Sequence, residues 1–542
     1  LRGPQYRLLV IGMLIGLVSL SGGLVAHWGT EGFNQEGEAI WWAFLRLTDP
    51  GYLGDDEGLF KRVLSSVLTV LGYVLFMGSL IAIMTQWLNA KLRALESGLT
   101  PIAQNGHILI LGWTNRTAAV VRELIRSEGR LKRFLKQLGN KRSLRIVILV
   151  EDVTPELVLE LEAEVGRDDW NPNRVIFRSG TPLRIEHLRR VDFANAAAII
   201  LPGADFAYGG ADASDTRIVK TLLNIANHGK SELGEPLQLL TTEVFDRRKV
   251  SVAEATYSGP LEVLASNAFV AQLMAQNLRH PGLSQVFSEL LSHNEGSEVY
   301  VREANQFAGR PIGELRRHFP QTVILGLCRP DGKRFKPMLN PSADTLLESG
   351  DRIVFMAGSY EDCEPSAKPV VDAAPDASRT NRGKAAVSDH NVLIVGWNHK
   401  IPTLLEALDR RSGDHFRVTS LSFLSREARE QDIQRDGITL SRIEMLHHQG
   451  DTTVQTAYDN VDPAGYDSIL FAASDRFQSG EESDATTLLR YLVMMEVVGE
   501  RSHPKILVEL MDPENVSLLP EGVESIVSPV LLSHMLAQVA LR

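Results

Sequence analysis

His107–Trp113 reads HILILGW, and Asn391–Trp397 reads NVLIVGW. Each is a short, unbroken apolar run ending in Gly-Trp. Continuous apolar character marks a strand covered on both faces, as in a parallel sheet; a half-solvated strand alternates instead. Outward from the first run, Arg145–Asp152 (RIVILVED) is a second buried strand, and VIFRSG, AAAIILPG and LQLLTTE continue the series with helical stretches such as Thr117–Ser127 between them. Strands alternating with helices predict a doubly wound, Rossmann-like α/β domain. Outward from the second run the pattern restarts. His447–Ala473 echoes Phe177–Gly203, Ser483–Met494 echoes Ser214–Ile225, and Lys505–Asn515 echoes Leu237–Arg247. The same matches in the same order indicate a duplicated domain. Between the copies, VYVREA, TVILGLCRP and DRIVFMAG within Glu298–Gly358 are shorter strands joined by Gly and Pro turns, a small α+β subdomain. Tyr360–Asp389, rich in Ala, Pro, Ser and charge, reads as a linker.

The N-terminal part differs. Leu8–Ala26 and Val63–Ala90 are uncharged apolar runs within a chain of 542 residues, and roughly 20 such residues cross a bilayer as a helix. Arg2 and Arg7 flank one end of this pair and Lys91 and Arg93 the other, while the intervening loop is acidic. The positive-inside rule then puts both termini in the cytoplasm of a multi-pass protein. The net charge of −11 argues against nucleic acid as a partner. The two cysteines, Cys328 and Cys363, cannot build a disulfide framework, and Cys328 in an apolar run reads as a buried small hydrophobe. The expected organisation is a pore module over 1–92 (spans 8–26 and 63–90, pore helix and filter 38–55), a connector over 93–106, a first Rossmann-like domain over 107–296, the α+β subdomain over 297–360, a linker over 361–389 and a second Rossmann-like domain over 390–542.

HILILGW, RSGTPL, DFANAAAIILPG and SDTRIVKTLLNI together resemble the CASTOR/POLLUX ion-channel family, over nearly the whole chain from Glu38 onward. The resemblance implies a homotetrameric channel for monovalent or divalent cations, potassium and calcium both being candidates, with tandem regulatory domains of the RCK type. A long N-terminal extension of the kind plant members carry is absent, which suggests a bacterial relative in the inner membrane.

Within the loop, Glu38–Leu47 (EAIWWAFLRL) is a candidate pore helix, and Thr48, Asp49, Pro50, Gly51 and Tyr52 follow as the candidate filter. The potassium-filter sequence TVGYG is absent. Pro50 deletes an amide, and fourfold symmetry would turn Asp49 into a ring of carboxylates that attracts cations. Asp55, Asp56 and Glu57 are expected to form an outer vestibule. Gly72 and Gly78 in the second span are candidate gating hinges or close-packing points.

The dinucleotide fingerprint G-x-G-x-x-G is missing: Gly112 is followed by Trp113, Thr114, Asn115 and Arg116, and Gly396 by Trp397, Asn398, His399 and Lys400. Gly112 and Glu151 are the residual nucleotide-site candidates, and NAD is not expected. Calcium is the favoured regulatory ligand. Asp205, Asp212, Asp215, Glu243 and Asp246 follow the fourth and fifth strands of the first repeat, and Asp475, Asp484, Glu509 and Asp512 recur in the second. Oxygen-rich clusters suit a hard cation, and resemblance to RCK-type domains places Asp215 and Glu243 near calcium positions. Asp215 and Asp484 could equally cap helices. His447 and His448, adjacent in a strand, face opposite ways and make a poor metal pair. Alternative readings are a regulatory subunit for a separate transporter and a membrane-anchored NAD-dependent enzyme; no nucleophile–base constellation supports the latter.

Overall fold

The computed structural model describes residues 4–49, 56–102, 105–137, 145–207, 209–233, 239–291, 297–332, 334–366, 388–410, 414–499, 501 and 504–541. The chain divides into two compact units, Leu1–Thr100 and Pro101–Arg542.

The first unit is helical. Pro4–Gly29 and Glu36–Thr48 are helices, and Leu59–Gly72 and Gly78–Glu96 are helices joined by a π-helical turn, Tyr73–Met77. The apolar stretches Leu9–Gly29 (21 residues) and Leu59–Asn89 (31 residues) are long enough to cross a membrane. Glycine lets these helices approach backbone to backbone: a Cβ on Gly72 would lie 2.1 Å from the Leu47 carbonyl oxygen. Ala43, Leu47 and Leu68 form a small buried cluster there, with Val18, Trp42 and Leu64 packed against it.

The second unit contains three sheets. The first holds β1 (Ile108–Leu111), β2 (Ile146–Val150), β3 (Val175–Ser179), β4 (Ala198–Leu201), β5 (Leu239–Val244) and β6 (Leu261–Ala265), six parallel strands in the order β3-β2-β1-β4-β5-β6. The second is antiparallel and comprises β7 (Glu298–Glu303), β8 (Val323–Asp331), β9 (Arg334–Leu339) and β10 (Arg352–Ala357) in the order β7-β10-β8-β9. The third repeats the first: β11 (Ser388–Val395), β12 (Asp414–Ser422), β13 (Ile443–Gln449), β14 (Ser468–Phe471), β15 (Lys505–Leu510) and β16 (Glu524–Val527), parallel, in the order β13-β12-β11-β14-β15-β16. Strand order reverses between β1 and β4, and again between β11 and β14. At such switch points the loops after the strands diverge and leave a crevice beyond the carboxyl ends.

The duplication is deeper than a tandem array, because the repeats exchange their last helices. Ser266–Arg279, which follows β6, places Val270, Ala271, Met274 and Leu278 in one core with Val392, Ile394, Trp397, Leu404 and Leu405 of the second repeat. Reciprocally, Ser528–Ala540, which follows β16, places Leu536, Ala537 and Ala540 in one core with Ile108, Ile110, Val120 and Leu124 of the first. Each side chain of Leu size buried this way contributes about 1.5–3 kcal/mol, so neither repeat is complete alone. The sequence boundary at 296 assigns Ser266–Arg279 to the first domain; by packing, that helix belongs to the second. One further expectation is corrected, and one strand was not anticipated. Cys328, in β8 where one face of the small sheet is solvated, is partly exposed, and the buried cysteine is Cys363. β9, a strand interrupted by Pro337 at a sheet edge, lacks the apolar run that reveals the others.

Candidate functional site

In the first unit, Glu36–Thr48 ends where Asp49 turns extended (φ −128, ψ 102) while its N–H still reaches the Leu45 carbonyl at 2.7 Å. Thr48 donates its hydroxyl to the Phe44 carbonyl at 2.9 Å, and Asp49 is exposed. Pro50, Gly51, Tyr52 and Asp55 lie outside the described residues. Glu57 is exposed, as a vestibule acid would be, but Asp56 is not: it is only 5% exposed. Its carboxylate accepts from the Arg46 guanidinium at 3.0 Å and from the Trp42 indole N–H at 3.2 Å. A lone buried carboxylate is costly, and Arg46, one helical turn beyond Trp42, supplies its partner. Arg46 carried no signal by itself, because one arginine in an apolar helix looks like a solvated end. Gly72 and Gly78 flank the π turn. Gly72 is buried at the close approach to Leu47, and Gly78 is exposed.

In the second unit, the carboxylates after β4 and β5 divide: Glu243 is buried against Arg116, while Asp205, Asp212, Asp215 and Asp246 border a common cleft. Arg116, in the loop after β1, is 0% exposed, and its guanidinium lies 2.7 Å from Asp205 and 2.8 Å from Glu243. Asn115 also donates to Asp205, at 2.8 Å. Burial opposes the charge on Arg116, yet Asp205 and Glu243 outweigh it and its pKa is raised. Burial likewise disfavours the Asp205 carboxylate, but Arg116 and then Lys400 hold its pKa well below the usual range. Glu243 goes the other way: burial, less Arg116's pull and with Asp205's repulsion, raises it. Gly203 makes room for this carboxylate. A Cβ there would sit 2.8 Å from its carboxyl carbon, and the Gly203 N–H donates to it at 3.0 Å. Asp215 accepts the backbone N–H groups of Phe245 and Asp246 at 2.8 and 3.2 Å, and Lys249 reaches Asp215 at 3.1 Å and Asp212 at 2.6 Å.

The second repeat reproduces the plan with a lysine. Lys400, 3% exposed, places its ammonium 2.7 Å from Glu509, which is 0% exposed. Glu509 also accepts from Asn398 at 2.9 Å, from the Ala473 N–H at 3.1 Å and from Ser528 at 2.9 Å. Burial opposes the Lys400 charge; Glu509 and Asp205 override it and raise the pKa. Asp484 accepts the N–H groups of Met511 and Asp512 at 2.8 and 2.9 Å, the counterpart of Asp215 with Phe245 and Asp246. Asp475 is disfavoured by burial but holds His399 through its ring Nδ1 at 2.7 Å and its N–H at 2.9 Å, which brings the pKa to about 2. Asp512 bonds the Glu514 N–H at 2.9 Å.

Glu243 and Glu509, expected among the calcium ligands, are engaged by cations of the protein itself. No group of three or more His, Cys, Asp or Glu side chains suited to a metal occurs among the described residues. Each repeat carries a tethered cation instead, Arg116 or Lys400. Nor do Asp215 and Asp484 cap their own helices; they tie each helix to the turn after the neighbouring strand. Charge alone did not mark Arg116 and Lys400 as buried partners; the signal that could have paired them is the recurring Gly-Trp-x-x-Arg/Lys at Gly112–Arg116 and Gly396–Lys400. Gly112 itself adopts φ +120, and Glu151 is exposed past the end of β2.

The two repeats face each other across a cleft of about 450 Å³ lined by Asp212, Asp215, Phe245, Lys249, His399 and Asp475, among others. Phe245 meets the His399 ring edge-on at 5.5 Å. At the rim, Arg248 bonds Asp436 and Arg247 bonds Glu406, both at 3.3 Å.

Residues 267–372 match the family described as "Castor and Pollux, part of voltage-gated ion channel". That segment runs from the exchanged helix Ser266–Arg279 through the antiparallel sheet. Over 92% of its length the chain is 23% identical to a probable ion channel POLLUX of Arabidopsis thaliana and 22% identical to the ion channel CASTOR of Lotus japonicus. It spans 58% and 56% of the length of those relatives. The solved human SLO3 gating ring shares the fold, with a TM-score of 0.53 at 14% identity, over 80% of this chain and 81% of that one. The resemblance to the CASTOR/POLLUX channels drawn from the motifs thus extends along nearly the whole chain.

Proposed function

We propose that this chain is a subunit of a tetrameric cation channel, set in a membrane by its two long apolar helices with both termini cytoplasmic, and regulated through its two Rossmann-like domains acting as an RCK-type pair. The observation that carries the reading is the conjunction in one chain of two parts. One is a pair of membrane-length helices bracketing a short, Trp-bearing helix that ends at an exposed acid, Asp49. The other is a duplicated α/β unit sharing its fold with a channel gating ring. Two spans cannot enclose a pore, which supports assembly of several copies. The relatives are named as channels rather than enzymes, which favours ion conduction over catalysis.

Asp49 is the proposed cation-attracting ring, and Gly72 and Gly78, either side of the π turn, the proposed bending points of the second span. A π turn carries a weakened hydrogen-bond ladder and is a frequent site of helix movement. Calcium is the proposed effector, acting in competition with a built-in cation: to reach Asp212 and Asp215 it must displace the Lys249 ammonium. The deciding experiment is reconstitution of the purified full chain in liposomes with potassium and calcium flux readouts. Cation flux that rises with protein supports the proposal. Flux no greater than in protein-free liposomes, from protein of confirmed fold, overturns it.

A further inference from the structure

We propose that Arg178 and Arg190, on the free edge of the first sheet, form a binding site for a phosphoryl group, carried by an anionic lipid headgroup or free in solution. β3 is the outermost strand of its sheet. The Ile146 N–H donates to the Arg174 carbonyl at 2.8 Å and the Gly180 N–H to the Val150 carbonyl at 2.7 Å, so the even-numbered residues of this strand face β2. Phe177 and Ser179 are out of phase with them, and their carbonyls turn to the free edge. Arginines take both. Arg178 donates to the Phe177 carbonyl at 2.7 Å, and Arg190, from the helix Ile185–Arg190, donates to the Ser179 carbonyl. These carbonyls belong to residues two apart on one strand, about 7 Å. Two guanidiniums are therefore held side by side.

Among the described residues, no carboxylate pairs with either arginine. The Arg178 Nε–H is buried without a partner. Burial, and then the charge on Arg190, lower the Arg178 pKa. Like charges this close oppose each other, and an anion between them reverses that cost. Both side chains are half-buried rather than sealed. Each is tethered through one nitrogen, which orients the rest of its fork, and that fork matches phosphate oxygens with two parallel bonds. The duplication supplies a comparison. His447–Ala473 repeats Phe177–Gly203 without a gap, and His448 and Asn460 stand in the places of Arg178 and Arg190. β13 is likewise the edge of its sheet, so the fold does not require arginines at an edge. They belong to the repeat that receives the connector. The Ile102 N–H donates to the Arg190 carbonyl at 2.9 Å, and Ile102 packs against the core that holds Leu188 and Val191. The second apolar stretch ends at Asn89, shortly before Ile102. An anion that orders Arg190 thus also orders the helix end on which the connector is anchored. Headgroup phosphate and soluble phosphate make the same bonds here, and the test separates them.

The test is calorimetric titration of the full chain in detergent micelles at constant ionic strength. The probes are inorganic phosphate and dioctanoyl phosphatidic acid, with dioctanoyl phosphatidylcholine as the zwitterionic blank. The variants are Arg178→Gln, Arg190→Gln and the two together; Arg174→Gln, exposed at the start of β3, is the control. The double variant is expected to bind about tenfold or more weakly than wild type, the single variants to lie between, and the control to match wild type. A preference for phosphatidic acid over inorganic phosphate of about tenfold or more assigns the headgroup, and a smaller one assigns the free phosphoryl group. Arg178→Lys with Arg190→Lys keeps both charges and loses both forks. It carries the test if the glutamine pair does not elute as the wild-type assembly, with the same weakening expected. The probe that binds should also slow hydrogen exchange in the shortest peptide containing Ile102; unchanged exchange overturns the link to the connector. Wild-type protein that binds neither probe beyond the blank overturns the proposal, as does a folded double variant that binds as tightly as wild type. Neither result bears on ion conduction, which is tested separately above.

Discussion

Lys400→Met removes an ammonium from a site 3% exposed and leaves the hydrocarbon stem in place. Glu509, fully buried, loses the charge 2.7 Å away but keeps its bonds to Asn398, the Ala473 N–H and Ser528. Removing one member of a buried ion pair costs about 3–5 kcal/mol, because the remaining charge stays out of water. The three retained donors place the expected loss near the lower end, about 3 kcal/mol, which is roughly a hundredfold rise in the local opening equilibrium. Hydrogen exchange measured by mass spectrometry on the full chain in detergent reads this directly in peptides spanning β15 and the helix Ile401–Asp409. Lys400→Met with Glu509→Gln removes both charges, and protection is expected to return to within about 1 kcal/mol of wild type. Protection in Lys400→Met within about threefold of wild type would refute the argument, as would a double variant as unprotected as the single one.

Arg116→Met is expected to be worse than Lys400→Met in the same assay, since it strands two buried carboxylates, Asp205 and Glu243, instead of one. Lys249→Ala should raise calcium affinity in titration calorimetry of the full chain, by freeing Asp212 and Asp215; affinity unchanged or lowered would remove those acids from any calcium site. Asp49→Asn in every subunit should weaken divalent block with folding intact, and unchanged reversal potentials and divalent sensitivity would reject the ring of carboxylates. His534, 5% exposed on the exchanged helix, has its pKa lowered to about 4 by burial first and Arg122 second. The unfolded chain therefore binds this proton before the folded one, and stability falls as pH drops from about 6.5 to about 4, by about 3 kcal/mol in all. His534→Gln should flatten that part of the stability–pH curve; an unaltered curve would show that His534 does not control it.

What the sequence reveals depends on which property carries each feature. Strands β1, β2, β4, β11 and β14 announce themselves because burial on both faces forces unbroken apolar runs. The duplication is legible for the same reason. β9 and β16 are not, because an edge strand with polar and charged residues has no such constraint. Acids at strand ends could be found as a set, but not their partners. Whether Asp205 faces a bound ion or Arg116 depends on tertiary closure across 89 residues, and charge composition alone is compatible with both. Asp56 misled for a related reason. Beside Asp55 and Glu57 it reads as one of three solvated acids, and only the position of Arg46 on the preceding helix separates it from them. The exchange of terminal helices left no trace in periodicity, since a helix that packs on its own repeat and one that packs on its neighbour require the same apolar face.

That exchange has a bearing on how the protein is made. A ribosome releases the chain from its N-terminus, and residues 107–265 supply every strand of the first sheet early in synthesis. The helix that completes one side of that sheet's core, Ser528–Ala540, emerges only after every strand of the second repeat. Until then Ile108, Ile110, Val120 and Leu124 have no lasting cover, while the second repeat receives its own borrowed helix, Ser266–Arg279, before its strands exist. Loss of Ser528–Ala540 would thus strand the older half of the unit rather than trim the younger. Quality control would see an exposed apolar groove on a domain synthesised hundreds of residues earlier, so a premature stop near Leu532 should mark the whole unit for degradation despite intact strands in both sheets.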